Sequence, residues 1–153
     1  MPRTRGLAPL VFALAASALA GPAAAQQSDY HAISDRFFAL VAEKKPTEAV
    51  DYVFGTNPWL EKVPDQMANV RSQFAGLEPL VGAYVDREAL VDSQVSSRYA
   101  YMYVLAYYER QPIKIEFHFY RPKDEWVLLN FYFHSDLTDE LVGFALERNQ
   151  LVD

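Results

Sequence analysis

The chain contains no cysteine among its 153 residues. That excludes a disulfide framework, a thiol nucleophile and any thiolate metal cluster. Glycine is scarce as well, at six residues. None of the six builds a phosphate-cradling loop or a Gly-x-Ser-x-Gly elbow, so covalent catalysis of the usual kinds has no visible nucleophile. The three histidines, His31, His118 and His134, lack the i, i+2 or i, i+4 spacing that aims two imidazoles at one ion, and no metal or cofactor is expected. Basic residues are short too, 14 against 20 acidic ones for a net charge of -6, with no Lys/Arg cluster. Such a balance repels phosphate backbones, and nucleic acid is not an expected partner.

What is present begins with MPRTRGLAPLVFALAASALAGPAAAQQ. Two arginines, an apolar stretch from Leu7 to Ala20, and small residues up to Ala25 follow the order of a secretory signal peptide, cleaved after Ala25. The apolar stretch is short for a bilayer span, and Gly21-Pro22 breaks it. With no cysteine at the cleavage site, a lipid anchor is excluded. The expected organisation is a leader, residues 1-25, and one domain, residues 26-153. The product is then periplasmic or secreted and free of the membrane. Loss of Arg3 and Arg5 with the leader takes the net charge from -6 to about -8.

Apolar residues Tyr30, Ile33, Phe37, Leu40 and Val41 recur at helical steps and predict a helix over 29-44, capped by Ser28 and ended by Pro46. A second helix is expected over 47-54, stopped by Gly55 in the left-handed cap conformation. After a turn at GTNPW, the spacing of Val63, Met67, Val70, Phe74 and Leu77 predicts a third. Beyond Pro79 the chain turns rich in Val, Ile, Tyr and Phe. Segments 81-90, 97-108, 112-121 and 125-134 read as four strands joined by short turns, hence an antiparallel meander. Leu137, Leu141, Phe144 and Ala145 suggest a closing helix capped near Ser135 or Thr138. Helices followed by a meander make an α+β domain, N-terminal helices packed on a curved four-stranded sheet.

The last hairpin carries the most information. Ile115, Phe117 and Phe119 alternate cleanly, but Trp126 and Leu128 are followed by Phe131 and Phe133, out of step by one. A one-residue bulge at Leu129-Asn130 restores the pairing, setting Phe131 opposite Phe117 and Phe133 opposite Ile115. Around the turn Arg110-Gln111, the same arithmetic pairs Tyr108 with Ile113, Ala106 with Ile115, Val104 with Phe117 and Met102 with Phe119. Those residues form the face toward the helices. The opposite face then carries Tyr99, Tyr101, Tyr103 and Tyr107 beside Lys114, Glu116, His118, Tyr120 and Tyr132. Tyrosine buries area while keeping a hydroxyl satisfied, so Tyr99, Tyr101, Tyr103, Tyr107, His118, Tyr120 and Tyr132 are the expected partner interface, in a homodimer packed sheet to sheet. The bland alternative is a solvated face on which tyrosine is simply a good strand former.

For the inner concavity, Arg98, Trp126 and Asn130 are the candidate lining residues. No catalytic residue stands out. Carboxylates at Asp86, Glu88, Asp136 and Asp139 sit in charge clusters at strand ends and caps, positions that are usually solvated.

Element order, a curved sheet and the closing strand DEWVLLNFYFHSD, with its Asp124-Glu125-Trp126 entry, resemble the NTF2-like superfamily, a cone-shaped, cystatin-like α+β fold. The resemblance covers nearly all of residues 26-153. It implies a pocket between sheet and helices, a small apolar ligand, and dimerisation through the outer sheet face. Enzymes of that superfamily place an Asp base, Tyr donors or a His inside the cone. Here His118 and most tyrosines fall outside, and no Asp sits mid-strand on the inner face. The reading is therefore a noncatalytic binding or accessory protein. The alternatives are an isomerase- or dehydratase-type enzyme using the cavity, and a subunit docking on another exported protein.

Overall fold

The computed structural model describes residues 29-137, 142-145 and 147. The leader and cleavage site, Ser28, Thr138, Asp139 and Leu141 lie outside the described residues. Helix α1 spans Tyr30–Ala42, α2 Pro46–Gly55, α3 Pro64–Ala75 and α4 Leu77–Val81, with a 3-10 helix at Pro58–Lys62. The strands follow in order: β1 Tyr84–Ser96, β2 Tyr99–Tyr108, β3 Ile113–Tyr120 and β4 Val127–His134. All pair antiparallel in the order β1-β2-β3-β4. The α+β class and the helices-first order stand. Among the described residues, no helix is long and apolar enough to cross a membrane.

Local chemistry places the boundaries. The cap of α1 is Asp29 rather than Ser28: its carboxylate accepts the His31 amide hydrogen at 3.1 Å, satisfying a donor that the first turn leaves free. Gly55 is not the left-handed residue expected of it. Helix α2 runs through it to an αR cap at Thr56. The left-handed position belongs instead to Lys44, φ 61°, which ends α1 as the Lys44 and Lys45 amides return to the Val41 and Leu40 carbonyls. Prolines at the starts of α2, α3 and the 3-10 helix cost nothing, because a first-turn amide has no partner to lose. The turn at GTNPW is thus Thr56-Asn57 and the first residues of the 3-10 helix.

The bulge in β4 lies where the broken alternation puts it. Phe119 pairs with Leu128, His118 with Asn130, Phe117 with Phe131 and Ile115 with Phe133, leaving Leu129 without a partner. The expected β2-β3 register is displaced by two residues: Ala106, Val104 and Met102 pair with Ile113, Ile115 and Phe117. The end of β2 follows β1 instead of β3. Tyr108 pairs with Tyr84, and the Glu109 and Arg110 amides bond to the Ala83 and Val81 carbonyls. A shift of two keeps every side chain on its face, so the division into inner and outer faces survives.

The inner face is packed with phenylalanine. Phe37 on α1 is fully buried, with ring centroids of Phe38, Phe74, Phe117 and Phe131 at 5.1 to 5.4 Å, the tilted and edge-on spacings aromatic pairs favour. Ile113, Ile115, Phe119 and Leu128 complete this layer. At the free edge of β4, the Leu128 amide donates to Thr56 Oγ1 at 2.9 Å and its carbonyl accepts from Asn57 Nδ2 at 2.7 Å. The exit of α2 therefore covers the sheet edge at the bulge.

Candidate functional site

The outer face holds a chain of polar contacts built on alternate residues of β3. Lys114, Glu116 and His118 point outward because Ile113, Ile115, Phe117 and Phe119 point in. Lys114 Nζ lies 3.0 Å from Glu116 Oε1 and 5.1 Å from the centre of the Tyr103 ring. Glu116 Oε2 is 3.7 Å from His118 Nε2, and His118 Nδ1 meets the Tyr99 hydroxyl at 2.6 Å. Tyr101 and Tyr132 stand edge-on to the imidazole, with centroids at 4.8 and 5.9 Å. His118 is thus flanked by two rings, a phenol and a carboxylate.

This face is unevenly covered. Tyr103, Leu105 and Lys114 are buried, and Phe144 lies against the Tyr103 ring at 5.4 Å. Residues 142-145 and 147 of the expected closing helix are helical. Tyr103, expected at a partner interface, therefore has little area left to offer. Elsewhere the rings open to solvent: Tyr120, in the row of Tyr99, is 39% exposed and Tyr132, on β4 opposite Glu116, 46% exposed, with Tyr99, Tyr101 and His118 half-buried between them. Tyr107 sits apart, bound to Glu88 at 3.0 Å, and that hydrogen bond raises its pKa.

The residues expected in the inner concavity do not meet there. Trp126 is buried against Tyr30, with the Arg121 guanidinium over its ring. Arg98 is exposed in the β1-β2 turn and donates to the Pro122 carbonyl at 3.0 Å. Asn130, at the bulge, lines a groove of about 120 Å³ between β4, the 3-10 helix and α3, with Phe54, Leu60, Met67, Val70 and Leu129. A second, open cleft of about 490 Å³ lies among Lys44, Ala75, Glu78, Pro79 and Glu109. The Glu109 carboxylate there already accepts the Ala83 amide hydrogen at 3.1 Å.

A further polar cluster escaped the sequence reading. At the start of α1, His31 Nδ1 lies 2.7 Å from Asp29 Oδ1 and His31 Nε2 lies 2.7 Å from Asp92 Oδ2 on β1. The Tyr30 hydroxyl donates to the other oxygen of Asp92 at 2.9 Å. Burial, then the Asp92 hydrogen bond, push the Tyr30 phenol up to about 12. Asp29-x-His31 was a local signal, but Asp92 lies 61 residues along the chain from His31, and only tertiary pairing brings it in. Among the described residues, no buried side-chain polar atom lacks a partner, and no group of three or more His, Asp or Glu could hold a metal ion.

Searches for a matching family model, a similar curated protein and a similar solved structure each found no match.

Proposed function

We propose that this chain is an exported, noncatalytic binding or accessory protein of NTF2-like architecture, whose contact surface is the solvent-open part of the outer sheet face and whose partner is a second copy of itself. The observation that carries the reading is the pair Tyr120 and Tyr132, exposed on neighbouring strands on either side of the His118 row, with Tyr99 and Tyr101 half-buried beside them. Large rings left open on a rigid sheet gain by leaving water. Charge confines a self-contact to this face. The chain as a whole is acidic, which opposes contact between copies elsewhere on the surface. On this face Glu116 is matched by Lys114 at 3.0 Å, so two copies meet there without that carboxylate's repulsion.

The inner side supports the noncatalytic half of the reading. Phe37, Phe117, Phe119 and Phe131 fill the space under the sheet, with no carboxylate among the buried core residues described. The groove beside Asn130, at about 120 Å³, is well below the ~300 Å³ at which ligand pockets usually begin. The space beneath the sheet therefore offers less to a small molecule than the outer face offers to a partner.

Sedimentation velocity at high micromolar concentration tests the dimer. The wild type should sediment as a dimer, and Tyr120→Glu/Tyr132→Glu as a monomer whose melting temperature matches that of the wild type diluted to its monomeric range. A strictly monomeric wild type removes the proposal.

A further inference from the structure

Both ring nitrogens of His31 lie 2.7 Å from carboxylate oxygens, Asp29 Oδ1 on one side and Asp92 Oδ2 on the other. An ionised carboxylate only accepts hydrogen bonds, and a neutral imidazole has one N–H to give. Two ionised carboxylates can therefore both be satisfied only by an imidazolium, which donates from both nitrogens. The stereochemistry itself asks for a proton at this position.

The cluster also joins separate parts of the fold. Asp29 caps α1, while Asp92 belongs to β1. Asp92 spends its second oxygen on the Tyr30 hydroxyl, so both of its oxygens hold the first turn of the helix. Tyr30 continues inward, with its ring at 5.5 Å from Phe119 and 5.3 Å from Trp126. We propose that Asp29, His31 and Asp92 form a proton-operated clasp, closed by the imidazolium, which pins the start of α1 to β1 and loosens when His31 loses its proton.

The surrounding charges favour the closed form. On α1 and its cap these are Asp29 and, further along, Asp35. On β1 they are Asp92 and Arg87, and Arg87 is engaged by the Asp35 carboxylate at 2.6 Å and the Ser34 carbonyl. From the β3-β4 turn, Arg121 sits over Trp126 at 5.1 Å. Across β2, Asp92 faces uncharged Met102. Partial burial lowers the His31 pKa, but the hydrogen bonds and charges of Asp92 and Asp29 outweigh it, and the net direction is up from 6.5. Tyr30, at about 12, stays protonated throughout this range. The sign follows: stability from the clasp is fully present below pH 6.5 and is lost as pH rises through the raised folded pKa.

Two measurements on the full mature chain decide the matter. An NMR titration of the His31 ring should give a midpoint above that of the same residue in a short unfolded peptide, returned toward it by Asp92→Asn. Hydrogen exchange of residues 31-34, corrected for intrinsic base catalysis, should lose about tenfold in protection across that midpoint, the equivalent of one charge-assisted hydrogen bond. In His31→Gln the step should vanish, with protection low at both ends. A wild-type midpoint at or below the peptide's, or protection unchanged through the titration, overturns the proposal. Neither deciding outcome needs a variant, only the wild type and the peptide, so the result stands even if a variant fails to fold.

Discussion

The two faces of the same sheet solve burial in opposite ways. The inner face uses shape: Ile113, Ile115, Phe117 and Phe119 are fully buried against helix side chains, with no polar atom to satisfy. The outer face uses partnership, burying Lys114 and most of Glu116 by setting each against the other at 3.0 Å, beneath the tyrosine rings. Residues 113 to 120 alternate between these regimes one position at a time, so a single strand carries both. An apolar layer tolerates the loss of a contact in proportion to the volume lost. A paired layer fails all at once when a partner is removed, because the survivor is left charged and desolvated.

Substitutions can break that comparison. The largest effect is expected at the inner face: Phe117→Ala should cost about 3 to 5 kcal/mol in denaturant unfolding, through lost burial and the cavity left among Phe37, Phe119 and Phe131. On the outer face, Lys114→Met should cost roughly 3 kcal/mol, by leaving Glu116 with only the longer contact to His118 at 3.7 Å, and Lys114→Met/Glu116→Leu should recover part of that loss. If the double variant is no better than the single, the outer face is not a paired layer. Asn57→Ala tests the covered sheet edge. It removes the hydrogen bond to the Leu128 carbonyl and the one from the Trp59 amide, for about 1 to 2 kcal/mol by the same assay. The smallest effect belongs to the open part of the outer face, where Tyr132→Ser, measured at a concentration that keeps the wild type monomeric, should change stability by less than about 0.5 kcal/mol. A large loss there would mean that Tyr132 is part of the fold rather than a surface held out for a partner.

The bulge shows how much of this was legible in advance. Side chains on a strand alternate with a period of two, so the slip between Leu128 and Phe131 had to be absorbed by one extra residue, and Leu129 is that residue. The β2-β3 register was less legible, since it depends on turn length, and the loop after Tyr108 is longer than Arg110-Gln111 alone. The parity was right while the pairing was two residues off. Trp126 and Arg98 could not be placed from sequence, because an apolar ring reads alike in a cavity wall and in a filled core. Tyr103 went the same way: its strand position predicts its face, but Phe144, 41 residues later, decides that it is covered.

Sequence alone determined the α+β class with helices before strands, the antiparallel meander, the two faces and the bulge, because each follows from local periodicity, proline and short connections, whereas the 3-10 helix and the break between α3 and α4 at Gly76 were not foreseen. Tertiary structure decided what fills the space beneath the sheet, which tyrosines stay open, and that His31 meets Asp92. Those outcomes depend on distances between residues far apart in the chain, and an imidazole carries no mark in sequence of the carboxylate that folding will bring to it.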